Sequence, residues 1–342
     1  MTPQQADASA LVSVVIPVHN RPDAVRRAIA SVLAQTFQRF EIVVVDDGST
    51  DATCDAVSSV RDGRVRLIRH KKNRGGSAAR NTGIEATGAP FVAFLDSDDE
   101  WLPTKLERQL GVFARSPDTL GLVYTGAERT YPDGSVSRAV PRRRTNLVRA
   151  LLRANVVGET SLGMVRRSVL EALDGFDESL PSCQDLDLWL RISERFAVDV
   201  VPEVLVKIAN GSDPGRITSS VRSTMTGRAV YCRKHREKMI RFGVLHLYLR
   251  DSGWRQQRLV RDGRLARPFY VESLSVRLVA PLTYVLLVST YLPLAWLDGM
   301  ALCKRVAARL LGFGPERFFA EDRAGAQSAT LQQRAAKDST AL

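Results

Sequence analysis

The strongest candidate for chemistry in this chain is a group of three aspartates, Asp96, Asp98 and Asp99. They directly follow residues 91–95, an apolar run with the length and composition of a strand buried on both faces. On an extended chain Asp96 and Asp98 leave the same side, and carboxylates this close repel each other unless a proton or a cation intervenes. A hard divalent cation with oxygen ligands would relieve the repulsion and would also hold a diphosphate. The alternative is a helix-capping aspartate with solvated neighbours, because short motifs carry a high risk of false matches.

Strands that could position these aspartates alternate with helices over the first hundred residues. The hydrophobic spacing predicts strands at 11–18, 40–45, 65–68 and 91–95, with helices opening at 21–23, running from 51 to about 60, and covering 78–86. Trp101, Leu106 and Gln109 are expected on the helix after the fourth strand, with Trp101 and Leu106 in the core. This alternation predicts a parallel sheet covered on both faces, with its ligand at the carboxyl ends of the strands.

Polar clusters follow three of the predicted strands, at residues 19–21, 46–49 and 96–99. Because the carboxyl ends of parallel strands lie along one edge of a sheet, these clusters should converge in space. The loop at 17–21 contains no glycine, and the chain has no Gly-x-x-x-x-Gly-Lys-Ser/Thr motif. These absences argue against a dinucleotide-binding dehydrogenase and against the common nucleoside-triphosphate loop.

Several ordered motifs resemble those of one enzyme family. They lie at 17–20, 43–51, 79–83, 95–106, 174–178 and 184–191. Together they are similar to the inverting glycosyltransferases of family two over roughly residues 10–220, and several motifs in order are far more specific than any single one. The resemblance implies a GT-A fold, which is a Rossmann-like α/β architecture with a mostly parallel sheet flanked by helices, here followed by a C-terminal α-helical region. It also implies a nucleoside diphosphate-sugar donor.

The resemblance implies a nucleotide-sugar site at the edge of the sheet. Asp46 or Asp47 would accept a hydrogen bond from the base, and Asp96 would contact the ribose. The other donor-side residues would be Pro17 and Asn20, which shape the nucleoside pocket, and Arg74 and Arg80, which hold the nucleotide. An alternative for Arg74 is a solvated loop charge.

The resemblance also implies a metal. Asp98, together with Asp99, would coordinate Mg²⁺ or Mn²⁺ on the diphosphate. The metal would act as a Lewis acid that offsets the negative charge on the leaving diphosphate.

Inversion further requires a base that deprotonates the acceptor hydroxyl, and Asp185 is the candidate. It lies at the start of a helix predicted over residues 186–196, where the helix dipole favours the ionised carboxylate. The family usually has an acidic residue just before this aspartate, whereas this chain has Gln184. One clear base therefore remains.

Three further residues are expected on the acceptor side, namely Glu159, Thr160 and Asp187. For Glu159 and Thr160 the alternative is a plain loop. For Asp187 the alternative is a charge in the first helical turn that stabilises the helix and pairs with Arg191 four residues later.

Positive charge is concentrated in the last third of the chain. The net charge of +12 arises beyond residue 221, where 21 Lys and Arg face 9 Asp and Glu, while residues 1–221 balance at 28 each. Such asymmetry indicates an anionic partner, either a membrane surface or nucleic acid. Residues 278–297 are uncharged and long enough to span a bilayer, but basic residues flank both ends. A membrane-surface or re-entrant helical pair is therefore favoured over one spanning helix and over a soluble helical core or dimer interface.

Three segments are expected: a catalytic domain at 10–221, a basic, membrane-associating helical region at 222–320 and a disordered polar tail at 321–342. The four cysteines are far apart in the sequence, which indicates reduced thiols. Residues 1–10 show no signal-peptide pattern. The protein is therefore expected at the cytoplasmic face of the cell membrane, with its oligomeric state left open.

The sequence thus predicts a metal-dependent inverting glycosyltransferase. It would move a sugar from a nucleoside diphosphate-sugar, with uridine as the base by resemblance alone, to a hydroxyl of a lipid-linked or cell-surface glycan. One alternative is a non-catalytic nucleotide-sugar-binding protein, against which the intact Asp-x-Asp motif and Asp185 both count. The other is an anionic-polymer-binding protein. No recognised nucleic-acid-binding motif accompanies the basic third, so no nucleic-acid partner is expected.

Overall fold

The first four strands form the parallel half of a central sheet. This computed structural model describes residues 10–131, 133–209, 221–260 and 262–291. The four strands are β1 (Val12–Val18), β2 (Phe40–Asp46), β3 (Val65–Arg69) and β4 (Phe91–Phe94), and they lie in the order β3-β2-β1-β4. β1 pairs in parallel with both β2 and β4, and most of its side chains are buried. Their carboxyl ends therefore share one edge of the sheet, as the sequence predicts.

Five further strands continue the sheet beyond β4. They are β5 (Asp99–Trp101), β6 (Leu120–Thr130), β7 (Val136–Ala139), β8 (Gly163–Arg166) and β9 (Ala197–Ala209). The order over the described residues is β3-β2-β1-β4-β8-β6-β9-β5, and β7 pairs with β6. β8 is antiparallel to β4 and β6, whereas β9 runs parallel to β6. The sheet is thus mixed in this half.

Helices flank this sheet. They are α1 (Pro22–Leu33), α2 (Thr53–Ser58), α3 (Gly76–Glu85), α4 (Lys105–Ala114), α5 (Leu147–Leu151), α6 (Arg167–Ala172) and α7 (Gln184–Arg195). Pro22 fits the first turn of α1 because its missing N–H has no partner there. The α/β class with helices around a central sheet is confirmed.

One element differs from the sequence-based prediction. Trp101 does not lie on the helix after the fourth strand but ends β5, where it pairs with Val206 of β9. Pro103 disfavours helical conformation in the residue before it, so the helix starts only at Lys105. Trp101 and Leu106 are buried in the core, as predicted.

Four more helices make up the C-terminal part, namely α8 (Val221–Arg241), α9 (Leu245–Val260), α10 (Gly263–Val276) and α11 (Pro281–Ser289). Tyr231 and Met239 of α8 and Tyr248 of α9 join the main hydrophobic core. Trp254 and Tyr270 belong to a smaller cluster between α9, α10 and α11. The packing of the core is therefore continuous across the boundary that the sequence predicted at 221/222.

The predicted membrane segment is described only in part. Residues 278–291 of the apolar run lie within the described residues, whereas 292–297 and the predicted tail at 321–342 lie outside them. Within the described ranges, none of the helices has both the length and the apolar character that crossing a bilayer requires.

Candidate active site

The loops that follow β1 and β2 are fastened to each other. The backbone N–H of Asn20 donates to Ser49 Oγ at 2.9 Å, and Asn20 Oδ1 accepts from the Thr50 N–H at 2.9 Å. Asn20 has a φ of 52°, in the left-handed region that asparagine tolerates better than most residues. Pro17 pairs with Val45 just below this point. The predicted convergence of the first two polar clusters is thus present.

Asp46 lies beneath this edge of the sheet and is completely buried. Its carboxylate accepts from the Ser49 N–H at 3.2 Å and from Cys54 Sγ at 3.1 Å, and Arg69 Nε is 3.4 Å away. Burial raises the pKa of the Cys54 thiol to about 11, and the bond to Asp46 and its negative charge add to that effect. The carboxylate of Asp46, the first candidate for recognising the nucleotide base, is therefore bonded to donors inside the protein.

Asp47 organises the loop between β3 and α3. Its carboxylate accepts from the backbone N–H groups of Arg74 at 2.9 Å and Gly75 at 2.7 Å, and His70 Nδ1 lies at 2.7 Å. Gly75 has a φ of 93°, which favours glycine at this position. The Arg74 side chain is half-exposed and 3.5 Å from Glu178. Sequence reasoning did not identify His70, because a lone histidine without a motif gives no signal.

Asp96 meets two residues from distant parts of the chain. Arg80 Nη2 donates to Asp96 Oδ1 at 2.5 Å, and Thr160 Oγ1 donates to the same oxygen at 3.0 Å. Thr160 starts a short 3₁₀ turn, Thr160–Leu162, that leads into β8. The structure therefore brings one predicted acceptor-side residue against the predicted donor-side pair of Arg80 and Asp96.

Asp98 and Asp99 face different surroundings. Asp98 keeps 14% of its side-chain surface exposed and lies 3.3 Å from Arg21 Nη1. Asp99 is only 2% exposed, is part of β5, and accepts from Ser161 Oγ at 2.6 Å. Asp99 therefore joins β5 to the 3₁₀ turn at Thr160–Leu162.

The residues at this edge fit a divalent cation that is shared with a substrate. Among the described residues, no cluster of three or more His, Cys, Asp or Glu side chains is assembled. Mg²⁺, however, is commonly bound through one or two carboxylates plus substrate phosphates. Asp96 and Asp98 provide such carboxylates. A metal that binds Asp98 would have to displace Arg21 from it.

Asp185 occupies the first turn of α7, as predicted. Its Oδ2 accepts from Asn155 Nδ2 at 2.8 Å, and its Oδ1 accepts from the Leu186 N–H at 2.7 Å. Asn155 also exchanges two hydrogen bonds with Gly158. The orientation of Asp185 is therefore set by the loop at 155–158, which sequence reasoning did not identify because an isolated asparagine carries no motif.

Glu159 forms a two-pronged ion pair with a buried arginine. Arg129 Nε and Nη2 donate to the two carboxylate oxygens of Glu159 at 3.0 and 2.6 Å. This fork geometry fixes both side chains. Arg129 lies on β6 and was likewise missed, since nothing in the sequence pairs it with residue 159.

Asp187 lies in the first turn of α7, two residues after Asp185, and faces α8. It is completely buried and bonded to Arg191 Nε at 2.7 Å, His235 Nε2 at 2.7 Å and Lys234 Nζ at 2.9 Å. Burial alone raises the pKa of Asp187, but the His235 hydrogen bond and the charges of Arg191 and Lys234 outweigh it and lower that pKa. This placement corresponds to the structural alternative for Asp187, including its contact with Arg191.

Comparison with known proteins points to one family. Residues 13–174 match the family model described as Glycosyl transferase family 2. An uncharacterized glycosyltransferase of Rickettsia bellii is 32% identical over 213 residues, which are 60% of this chain and 30% of the relative. The UDP-Glc:alpha-D-GlcNAc-diphosphoundecaprenol beta-1,3-glucosyltransferase WfgD of Escherichia coli is 38% identical over 106 residues, 31% of this chain and 42% of the relative. The matches thus span less than half the length of these two relatives.

A solved structure shares the fold. The mannosyltransferase PcManGT from Pyrobaculum calidifontis, in complex with GDP-Man and Mn²⁺, has a TM-score of 0.55 and 22% sequence identity, covering 95% of this chain and 87% of that chain. This likeness concerns the fold alone, and it confirms the GT-A class. Residues 13–174, the part of the chain that matches the glycosyl transferase family 2 model, thus contain most of the candidate site residues described above.

Proposed function

We propose that this protein is a metal-dependent inverting glycosyltransferase. It transfers a sugar from a UDP-sugar to a hydroxyl of a lipid-linked glycan. The E. coli relative WfgD, whose name contains a UDP-sugar donor and a diphosphoundecaprenol-linked acceptor, supports this donor and this acceptor class. The Mn²⁺ complex of PcManGT supports the use of a divalent metal.

The side chain of Arg80 supports the proposal most directly, because it contacts both the donor side and the base side of the site. The buried guanidinium of Arg80 donates to Asp96 at 2.5 Å through Nη2, and its Nη1 lies 3.5 Å from Gln184 Oε1. Gln184 immediately precedes Asp185 at the start of α7. A donor sugar next to Asp96 would therefore lie close to the base, as direct displacement requires.

In this mechanism Asp185 accepts the proton of the acceptor hydroxyl as that oxygen attacks the anomeric carbon of the sugar, and the bond from that carbon to the diphosphate oxygen breaks, so that UDP leaves. Asn155 and the Leu186 N–H hold the carboxylate in one orientation. Asp96 binds the donor, and Asp98 would hold the cation. A bound Mg²⁺ or Mn²⁺ supplies Lewis-acid stabilisation of the leaving group.

A lipid-linked acceptor implies work at a membrane, and we propose that α10 and α11 lie on an anionic lipid surface at the cytoplasmic face. Large apolar side chains are exposed in the link between these helices, at Leu278 (71%) and Val279 (80%), and on α11 at Val288 (60%). Arg264 is also highly exposed but forms an ion pair with Asp262, and Arg277 is exposed next to Leu278. Apolar side chains inserted among headgroups, with arginines on the lipid phosphates, match a helix that lies in the interface.

Flotation with liposomes tests this surface. We expect binding to vesicles that contain phosphatidylglycerol, weaker binding at high salt, and little binding to pure phosphatidylcholine. Binding to duplex DNA with no preference for anionic vesicles would instead support the alternative of an anionic-polymer-binding protein.

The activity is tested with the full chain, a panel of nucleotide-sugars, Mn²⁺ or Mg²⁺, and a diphosphoundecaprenol-linked sugar as acceptor. We expect transfer from a UDP-sugar with inversion at the anomeric carbon, and loss of transfer when EDTA removes the metal. Tight UDP-sugar binding without transfer would favour the non-catalytic alternative. No calorimetric heat with any nucleotide-sugar and Mn²⁺ would reject the donor site altogether.

A further inference from the structure

The first helix of the basic C-terminal region lies directly against the turn that carries the proposed base. Gly227 of α8 packs against Ser182, just before α7. A Cβ added at Gly227 would lie 2.1 Å from Ser182 Oγ and 2.8 Å from the Ser182 backbone nitrogen. Ser182 Oγ donates to the Ser223 carbonyl, and Ser223 Oγ donates to the Pro181 carbonyl. Glycine therefore allows α8 to approach the two residues that lead into α7.

The backbone at the start of α7 needs this support from α8. Cys183, the residue before the helix, has a φ of 63° and thus a left-handed backbone that is unfavourable for a side chain of this kind. No side chain caps this helix start. The conformation of the first turn is therefore set by its neighbours rather than by its own sequence.

α8 also holds the first turn from the other side of Asp185. Lys234 and His235 bond to the buried carboxylate of Asp187 at 2.9 and 2.7 Å. Asp187 in turn closes the first helical bond, because its N–H donates to the Cys183 carbonyl at 3.0 Å. Lys234 additionally bonds to Asp177 at 2.5 Å, which ties the preceding loop to the same point.

His235 is itself fixed in place. Its ring lies 4.7 Å from that of Tyr231, and the Tyr231 hydroxyl donates to the carbonyl of Leu151 on α5. His235 is only 3% exposed, so substrate cannot reach it. It can act on the reaction only through Asp187.

We propose that His235 and Lys234 are positioning residues that hold the carboxylate of Asp185 in its reactive orientation by anchoring Asp187. The inference rests on the proposed function, in which Asp185 is the base. Through these two residues α8 helps to position the base. The basic C-terminal region thus has a role beyond attraction to an anionic surface. A shift of the base by a fraction of its hydrogen-bond length lowers kcat more than it lowers donor affinity.

The test compares His235→Leu and Lys234→Met with Lys238→Met. Lys238 makes an ion pair of the same kind between the same two helices, at 2.7 Å from Glu194, but at the far end of α7. We expect His235→Leu to lower kcat about 10- to 100-fold with the Kd for UDP changed less than about twofold. Lys234→Met should have a smaller effect in the same direction. His235→Gln, which keeps a donor, should recover most of the activity, and Lys238→Met should leave kcat unchanged.

Hydrogen exchange provides a readout that does not depend on turnover. His235→Leu should speed exchange of the amides at 185–188, whereas Lys238→Met should not. If wild-type protein fails to transfer sugar, the proposed function is wrong, while faster exchange in His235→Leu would still support the anchoring role. Unchanged kcat and exchange in both His235→Leu and Lys234→Met would overturn the inference. So would a kcat loss that merely follows a loss of folded protein by circular dichroism, or an equal loss in Lys238→Met.

Discussion

Arg80 and Asp96 form a hydrogen-bonded ion pair of 2.5 Å, with the arginine almost completely buried on α3 and the aspartate two residues after the end of β4. The Arg80 guanidinium also lies over the ring of Phe176, 5.5 Å from the ring centroid. A buried cation of this kind fixes the direction of a neighbouring carboxylate at low cost in side-chain entropy.

Replacing Arg80 with methionine should therefore impair the donor side. We expect kcat/KM for the UDP-sugar to fall about 10- to 100-fold, because Asp96 loses the group that orients it. Steady-state kinetics over a range of donor concentrations measures this loss. The control is Arg66→Met, which removes a half-exposed pair with Glu41 and should leave kcat/KM unchanged. Equal activity of the two variants would remove Arg80 from the site.

The two aspartates of the predicted metal pair should respond differently. Asp98→Asn should abolish the gain in UDP affinity that Mn²⁺ produces, because it removes the partly exposed carboxylate. Asp99→Asn should retain that gain but lower the melting temperature, since Asp99 accepts from the buried Ser161 hydroxyl. Calorimetric titration of UDP with and without Mn²⁺, and thermal unfolding, separate the two effects. A complete loss of the Mn²⁺ effect in Asp99→Asn with an unchanged melting temperature would reverse the assignment.

Asp185→Asn should remove the general base and leave the fold intact. We expect kcat to fall about 10²- to 10⁴-fold with the Kd for UDP nearly unchanged, because asparagine cannot accept the acceptor proton. Asp118→Asn is the matched control, since that carboxylate is 99% exposed. Normal turnover by Asp185→Asn would show that another group acts as the base.

The Asp187 network should make the protein sensitive to acid. The pKa of Asp187 is lower in the folded state than in the unfolded chain, so the carboxylate stabilises the fold fully above the ordinary aspartate value near 4. This contribution is lost as the pH falls below about 4 towards the lowered folded-state pKa. The charged and titratable groups around it include Arg191, Lys234, His235 and Tyr231, with Asp177 beside Lys234.

Thermal unfolding between pH 3 and pH 7 tests this expectation. The wild-type melting temperature should fall more steeply below pH 4 than that of Asp187→Asn, which is less stable at neutral pH but has no carboxylate to protonate. Parallel curves for the two proteins would mean that Asp187 does not contribute to the acid sensitivity.

Cys54 should react slowly with alkylating reagents at pH 8. Its pKa is raised to about 11, so little of the reactive thiolate is present. Peptide mapping after iodoacetamide treatment should show Cys54 modified far more slowly than in a urea-unfolded sample. Asp46→Asn removes the bond and charge that help to raise the pKa, and should speed the reaction. Rapid alkylation of the native wild type would contradict the contact between Cys54 and Asp46.

The sequence was sufficient where local patterning dominates. Hydrophobic runs of strand length identified β1, β2 and β4, because a strand that is buried on both faces is apolar along most of its length. The shorter apolar run at 65–68 identified β3, which is only partly buried. Asp185 was placed correctly in the first turn of a helix, since the spacing of Leu186, Leu190 and their neighbours is helical. The family motifs added the fold class.

The contacts between distant segments could not be read from the sequence. Trp101 was assigned to a helix because its pairing partner, Val206, lies more than a hundred residues later. Nothing local distinguishes Asp99 from Asp98, yet one faces Ser161 inside the protein and the other remains partly exposed.

By itself, then, the sequence determined the parallel strands, the polar edge at their carboxyl ends and the acidic residues available there, because hydrophobic spacing and backbone period act over a few residues. Only the tertiary structure decided which carboxylates meet Arg80, Asn155 or Arg129, and that α8 lies against the start of α7. Those choices depend on burial and on contacts between residues far apart in the chain, which no local pattern records.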